Sequence, residues 1–220
     1  MISRRIKYYI SKFKYDTFPQ FLLDILKALH IWIDPFYIFR EGTEFTPAEL
    51  KNRNLDGIKI GFAKPEHLHL LLNFSDRPAL PDKLKERFDN GDLCLAAWVD
   101  GEIVAFTWAD LKVFSFKTYR FPLQENEAYL YDAYTSPQFR GKRIADYLRY
   151  QLYLALAEQG RDTLYSMTMR YNPPALRFKR YLGAPVVDSG ILFNIFGLLK
   201  FGTPAHPDKL RGPTPKTGVN

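Results

Sequence analysis

No segment of this chain limits its fold more than Tyr131 to Ala145, YDAYTSPQFRGKRIA. Ala128 to Thr135 is rich in aromatic, apolar and β-branched residues, the composition of a half-buried strand. Ser136 and Pro137 end that strand, and Gln138 to Lys142 make a polar turn containing Gly141. Ile144, Leu148, Leu152 and Ala155 then recur at helical spacing, with Gly160 as a stop. Such a junction points unpaired backbone N–H groups and the positive end of a helix dipole at one spot. Arg140, Lys142 and Arg143 add charge-assisted donors there. The spot suits a phosphate; the same residues also suit a plain strand-to-helix connection with a solvated basic rim.

Asn172 to Ala184, NPPALRFKRYLGA, follows a second strand-like run, Thr163 to Met169. Pro173 and Pro174 fit a first helical turn, where a missing N–H is harmless. Leu176, Phe178 and Leu182 give that short helix an apolar face, and Gly183 ends it. With both segments in this order, the chain resembles the GNAT superfamily of acyl-CoA N-acyltransferases from Ile58 to Phe201. The family's Gln/Arg-x-x-Gly-x-Gly/Ala turn is matched by Gln138, Phe139, Arg140, Gly141, Lys142 and Arg143. Its Asn-x-x-Ala…Gly helix is matched by Asn172, Ala175 and Gly183.

The resemblance implies an α+β fold layered α/β/α, with a mixed, mostly antiparallel central sheet flanked by helices. It implies acetyl-CoA, or another acyl-CoA or acyl carrier protein thioester, as co-substrate. The acceptor would be a primary amine of a small molecule or amino sugar, attacking the thioester directly with no acyl-enzyme. Ala133, Tyr134 and Thr135 on the splayed strand, Gln138 through Ala145 in the turn and helix start, and Asn172 are then the expected cofactor contacts; Ile144 is among them.

Glu127 lies thirteen residues before Arg140, the spacing of the catalytic glutamate in histone-acetyltransferase-type members, and is the candidate base. An ordinary solvated glutamate at a strand start fits the polar run Gln124 to Glu127 at least as well. Tyr181 is the candidate acid, with Tyr134 a second phenol, and Asp132 would bind a cationic acceptor or cap a loop. Two residues depart from the family pattern. Arg143 stands where Gly or Ala is preferred, and would either crowd a pyrophosphate or bind it. Lys179 stands where many members carry the tyrosine that protonates the leaving thiolate. These departures keep a GNAT-shaped binding module without catalysis as an alternative.

At 220 residues the chain has room for one domain, or one domain with a small extension. An aromatic fraction of 16% promises ring-lined pockets and, with an apolar N-terminus, motivates a longer acyl group as a second reading. The single cysteine, Cys94, excludes an internal disulfide, and its apolar run Leu93 to Val99 marks it as a buried thiol. His30, His67, His69 and His206 show no metal-ligand spacing, so no metal is expected. The net charge of +7 comes without an arginine-rich tract or nucleic-acid motif. It points to coenzyme A and an acidic partner such as a carrier protein, not to nucleic acid.

Residues 1–35 read as a helical extension. Ile2, Ile6, Ile10 and Phe13 share one helical face, and Thr17 to Ile33 reads as a second, very apolar helix. That stretch is shorter than the roughly 20 residues a bilayer span needs, and no cleavable signal is evident. Its apolar faces must be buried on the domain, against a second copy in a homodimer, or on a membrane surface through residues 1–33; packing on the domain is favoured. A cytoplasmic protein is expected, with the inner membrane face as a peripheral site. Residues 36–202 form the GNAT-like domain. Within it, Asp100–Gly101 between Leu93–Val99 and Glu102–Ala109 reads as a tight hairpin. Residues 46–56 read as a loop, 111–117 as a strand extension, 186–197 as closing strands broken near Asp188, and 203–220 as a flexible tail.

Overall fold

The computed structural model describes residue 26 and residues 30–51, 55–74, 76–77 and 80–212. The helices expected between residues 2 and 29 lie, Leu26 apart, outside the described residues. The strands are β1 (Ile31–Glu41), β2 (Lys59–Ala63), β3 (Leu93–Val99), β4 (Glu102–Asp110), β5 (Val113–Phe116), β6 (Tyr119–Pro122), β7 (Glu127–Thr135), β8 (Thr163–Met169), β9 (Val186–Ile195) and β10 (Leu199–Gly202). The helices are α1 (Ala48–Lys51), α2 (Leu68–Leu71), α3 (Pro81–Asn90), α4 (Ile144–Ala157), α5 (Pro173–Tyr181) and α6 (Pro207–Arg211).

Among the described residues, eight strands form one sheet in the order β10-β9-β1-β8-β7-β4-β3-β2, and β5 and β6 form a separate hairpin. Only β7 and β8 run parallel, as a strand-helix-strand crossover through α4 requires. The sheet is covered on both faces. Ile144, Leu148, Leu152 and Leu156 of α4 pack with Ala128 and Leu130 of β7, joined by Phe178 of α5. On the other face, Leu71 of α2 and Leu84 of α3 pack on Trp108 and Phe106. Phe114, Tyr119 and Phe121 of the β5–β6 hairpin pack there on Phe36, Tyr129 and Tyr165. This is the mixed α/β/α layering expected.

The Asp100–Gly101 turn forms as expected, both residues holding positive φ, 50° and 83°, as a two-residue hairpin turn demands. Five expectations change. Residues 31–33, read as the end of a helix, begin β1, so the sheet starts before residue 36. A continuous apolar run masks their alternation; pairing of Ile31, Trp32 and Ile33 to Ile195, Asn194 and Phe193 of β9 decides the matter. Residues 111–117 hold β5, but it turns back on β6 instead of extending the sheet. The 46–56 stretch holds the short α1, anchored by buried Leu50. β9 runs unbroken through Asp188 to Gly190. Finally, residues 203–212 do not hang free: Leu210 of α6 is buried, and Arg211 grips Glu127.

β1 also carries a buried charge into the core. Glu41, fully buried, accepts hydrogen bonds from Lys179 of α5 and Tyr153 of α4, with Arg149 Nε at 3.7 Å. Burial alone would raise the Glu41 carboxyl, but Lys179 and Arg149 outweigh it and hold it down at about 2. Burial lowers Lys179 to about 8 against the pull of Glu41, so both stay charged at neutral pH. Removing the carboxylate strands two buried cations. Glu41→Ala should lower the unfolding free energy, read by urea titration, by about 3–5 kcal/mol. With the native carboxyl at about 2 against an ordinary 4.5, the stabilisation is complete above pH 4.5 and drains away as pH falls toward 2. The variant should lack that acid limb.

Candidate active site

The site arises where β8 changes partners. β7 and β8 pair only from Glu127–Leu130 to Thr163–Ser166. Beyond that, β8 stays with β1 as far as Met169, while Tyr131 to Thr135 of β7 stay with β4. A bulge parts them further. Between the pairs Trp108–Tyr131 and Phe106–Tyr134, two residues of β7 oppose the single Thr107, and Asp132 there takes φ 51°. The β7 edge from 131 to 135 therefore turns backbone groups with no strand partner toward a wedge.

The wedge leads into a cleft of about 740 Å³ between the N-terminus of α4 and α5. Phe139, Arg140, Gly141, Arg143, Ile144 and Ala145 line it on one side, and Arg177, Phe178, Arg180 and Tyr181 on the other. A contiguous cavity of about 320 Å³ carries on along Ala133, Tyr134 and Thr135 to Asn172, Pro174 and Ala175. Asn172 caps α5 by accepting from the Ala175 N–H at 3.2 Å, which accounts for its place in the motif. Gly141 has φ 77°, and no atom lies within 4 Å of where its Cβ would sit. That open space over a turn, facing the first N–H groups of α4, fits a phosphate. Gln138 faces away, into a separate cavity with Asn73 and Asp76. Lys142 lies over the Phe139 ring at 4.8 Å and is not part of the cleft lining.

Arg143 caps α4 in the left-handed region with φ 63°, bonds Asp146 at 3.3 Å and stacks on Tyr181 at 3.7 Å. Tyr181 is thus held by a guanidinium on the α5 side of the cleft, among residues that line it beside the Gly141 turn. Lys179, in the position of the family's tyrosine, points into the core toward Glu41.

Glu127 does not reach the splay either. It sits at the start of β7, 1% exposed, with Arg211 Nε and Nη2 at 2.8 and 2.9 Å. The Gln124 N–H and the Tyr165 hydroxyl also donate to it. Burial pushes its pKa up, but Arg211 and these donors prevail and hold it below the ordinary range. A carboxylate so fully engaged is a poor proton acceptor, and the expected base role gains no support. The partner, Arg211, lay in a segment whose sequence gave no sign of order.

On the sheet face opposite α4, the bulge gathers charges the sequence did not connect. Asp132 binds Arg77 and, at 2.5 Å, Arg87. Burial raises its carboxyl, but the two guanidinium groups hold it below the ordinary range. Arg77 stacks over Phe106 and Tyr134, and Arg87 over Trp108 and Tyr131, all at 4.9–5.2 Å. Beside them the Tyr131 hydroxyl donates to Asp92 at 2.5 Å. Burial pushes Asp92 up to about 6, although that hydrogen bond works against it. Asp92 stands alone before a strand, so no spacing could have singled it out. Cys94 is buried, as expected. Among the described residues no group of His, Cys, Asp and Glu could hold a metal, and no helix is long and apolar enough to cross a membrane.

The sequence profile of the Acetyltransferase (GNAT) family matches residues 63–184, more than half of the chain. The chain belongs to the GNAT acetyltransferase family. No curated protein matches the sequence. Solved structures share the fold at low identity. A GNAT-family acetyltransferase from Colwellia psychrerythraea is 19% identical with TM-score 0.55, covering 73% of this chain and 55% of its own. A tandem GNAT protein from the clavulanic acid biosynthesis pathway is 12% identical with TM-score 0.56, covering 81% and 58%. A GCN5-related N-acetyltransferase-like protein from Streptococcus suis is 14% identical with TM-score 0.51, covering 77% and 65%. The chain thus spans less than two thirds of each of these structures.

Arg143→Ala removes a cation from the cleft while leaving the turn. It should weaken coenzyme A binding, measured by calorimetry, by about 1.5–3 kcal/mol, the loss of one hydrogen bond to a charged group.

Proposed function

We propose that this protein is an N-acyltransferase that takes acetyl-CoA as donor and a primary amine of a small molecule or amino sugar as acceptor. The observation that carries the reading is the wedge between β7 and β8 running into the Gly141 turn and the N-terminus of α4. Diphosphate would lie on the turn, with Arg140 and Arg143 beside it. The pantetheine arm would lie along Ala133 to Thr135, its amides meeting the edge of β7 that β8 leaves, where Arg140 Nε donates to the Thr135 carbonyl at 3.0 Å. Backbone N–H groups at the Asp132 bulge are suited to stabilise the oxyanion that forms when the amine attacks the thioester carbonyl.

The amine must lose a proton in that step. Asp92, with its ordinary range shifted up to about 6 and its carboxylate on the hydroxyl of Tyr131, is the acceptor the site offers near the bulge. Tyr131 is the last residue of β7 before the bulge and relays between the amine and Asp92. As the tetrahedral intermediate collapses, the C–S bond breaks and coenzyme A leaves as a thiolate that takes its proton from solvent, since Lys179 points into the core toward Glu41.

Screening primary amines for coenzyme A release tests the reaction. A donor-dependent thermal shift with no release by any amine would favour a binding module instead. For a responsive amine, kcat/KM should climb through pH 6 as Asp92 deprotonates and level off above it. Asp92→Asn should lower turnover roughly 10²–10⁴-fold and abolish that limb. Glu127→Gln, in protein that remains folded, should change turnover less than about threefold, and a large loss there would return the base role to Glu127.

A further inference from the structure

α4 buries a charge that the proposed reaction does not use. Arg149 is 2% exposed, and among the described residues its Nε and Nη1 find no hydrogen-bond partner. Glu41 Oε2 lies 3.7 Å from its Nε and already takes the Tyr153 hydroxyl. The other Glu41 oxygen takes Lys179. Two buried cations therefore share one carboxylate, and the layer between α4, α5 and β1 holds one positive charge in excess. A buried N–H without a partner costs stability, and a buried charge costs more. A lysine in that place could shed its proton, as burial already brings Lys179 down to about 8; a guanidinium cannot. An apolar side chain of similar volume would avoid the cost altogether.

The position of Arg149 gives that cost a use. Its guanidinium lies 5.7 Å from the centre of the Phe178 ring, and Phe178 lines the cleft. Arg149 itself lines neither that cleft nor the cavity that continues it. Two of the cleft's own cations are matched by carboxylates, Arg140 by Asp76 at 3.0 Å and Arg143 by Asp146 at 3.3 Å. Arg177 and Arg180 line it from exposed positions, where water and salt screen them. A buried charge beneath an aromatic ring is screened less, so its field reaches an anion in the cleft without contact.

We infer that Arg149 is a specificity-determining residue for the thioester donor: its buried charge favours a donor that brings several anionic groups into the cleft, as the nucleotide of an acyl-CoA does. The inference rests on the acyl-CoA reading and narrows it. Acyl-CoA and a carrier-protein thioester present the same pantetheine arm, but the carrier's arm ends in a single phosphodiester. The field under Phe178 therefore sorts donors by the charge at the far end of the arm, while the edge of β7 reads only the arm.

Full-length protein titrated with coenzyme A, dephospho-coenzyme A and pantetheine tests this, with dissociation constants read by calorimetry and, for pantetheine, by NMR. Arg149→Met removes the charge and keeps most of the side-chain volume. It should weaken coenzyme A binding about tenfold, the scale of one unit charge acting at an effective dielectric of about 20. Dephospho-coenzyme A should lose less, and pantetheine should bind the variant as it binds the parent. Equal fold-losses for coenzyme A and its less charged analogues would mean that Arg149 only shapes the cleft, and would overturn the inference. An unchanged coenzyme A constant would overturn it as well. Parent protein that binds none of the three would overturn the acyl-CoA reading itself, and the inference with it. Arg149→Gln, read in the same way, decides the matter if the methionine variant does not fold.

Discussion

Everything at the site depends on the unequal claims of two neighbours on β8. β1 holds it through Met169, whereas β7 holds it only through Ser166. A strand can be satisfied on both edges only while both partners keep its direction. β1 draws β8 one way; the extra residue at Asp132 bends β7 the other way, toward β4. Backbone groups freed at the parting would cost about 1–3 kcal/mol each if they were buried without partners. A wedge open to solvent keeps that cost low until a ligand with its own amide groups takes their place. The cleft is a place where the sheet declines to close.

The floor of that cleft is charged from beneath. Phe178 lines the cleft, and Arg149 and Lys179 lie against its ring at 5.7 and 5.2 Å on the buried side. Glu41 balances only one of those two cations. A surplus positive charge in a low-dielectric layer is felt further than one in water, so an anion above Phe178 gains from residues it cannot touch. The departure at Lys179 thus has a consistent account. The position ties α5 to β1 and contributes to the positive field beneath the cleft.

Much of this fold was legible in the sequence, and the failures share a cause. The Asp100–Gly101 hairpin, the Gly141 turn before α4 and the Asn172 cap are local devices whose geometry is complete within a few residues. β1 reads as helix over 31–33 because a continuous apolar run has no period to separate strand from helix, and only the long-range pairing to β9 separates them. The surroundings of Glu127, Asp92 and Lys179 were out of reach for another reason. Their electrostatic surroundings are set by partners 84, 39 and 138 residues away in the chain. A buried carboxylate next to Arg211 and one next to a tyrosine look identical in sequence, yet one is held down and the other pushed up.

Arg143 shows how a motif can keep its backbone and change its chemistry. The family's small residue at the mouth of the helix permits a left-handed turn and close approach of phosphate. Here φ is still 63°, so the backbone path is the one the motif requires, at a cost of roughly 1–2 kcal/mol for a residue with a side chain. The side chain does not fill the space above Gly141; it folds over Tyr181 and toward Asp146. The aromatic ring that could have served as an acid becomes the platform that aims a guanidinium across the cleft. Crowding and binding, equally open from the sequence, are therefore not equivalent in the structure: strain is retained where a glycine would relieve it, and the group it supports is the cation nearest the start of α4. Backbone strain at a cleft-lining position is the pattern that the proposed acyl-CoA site accounts for.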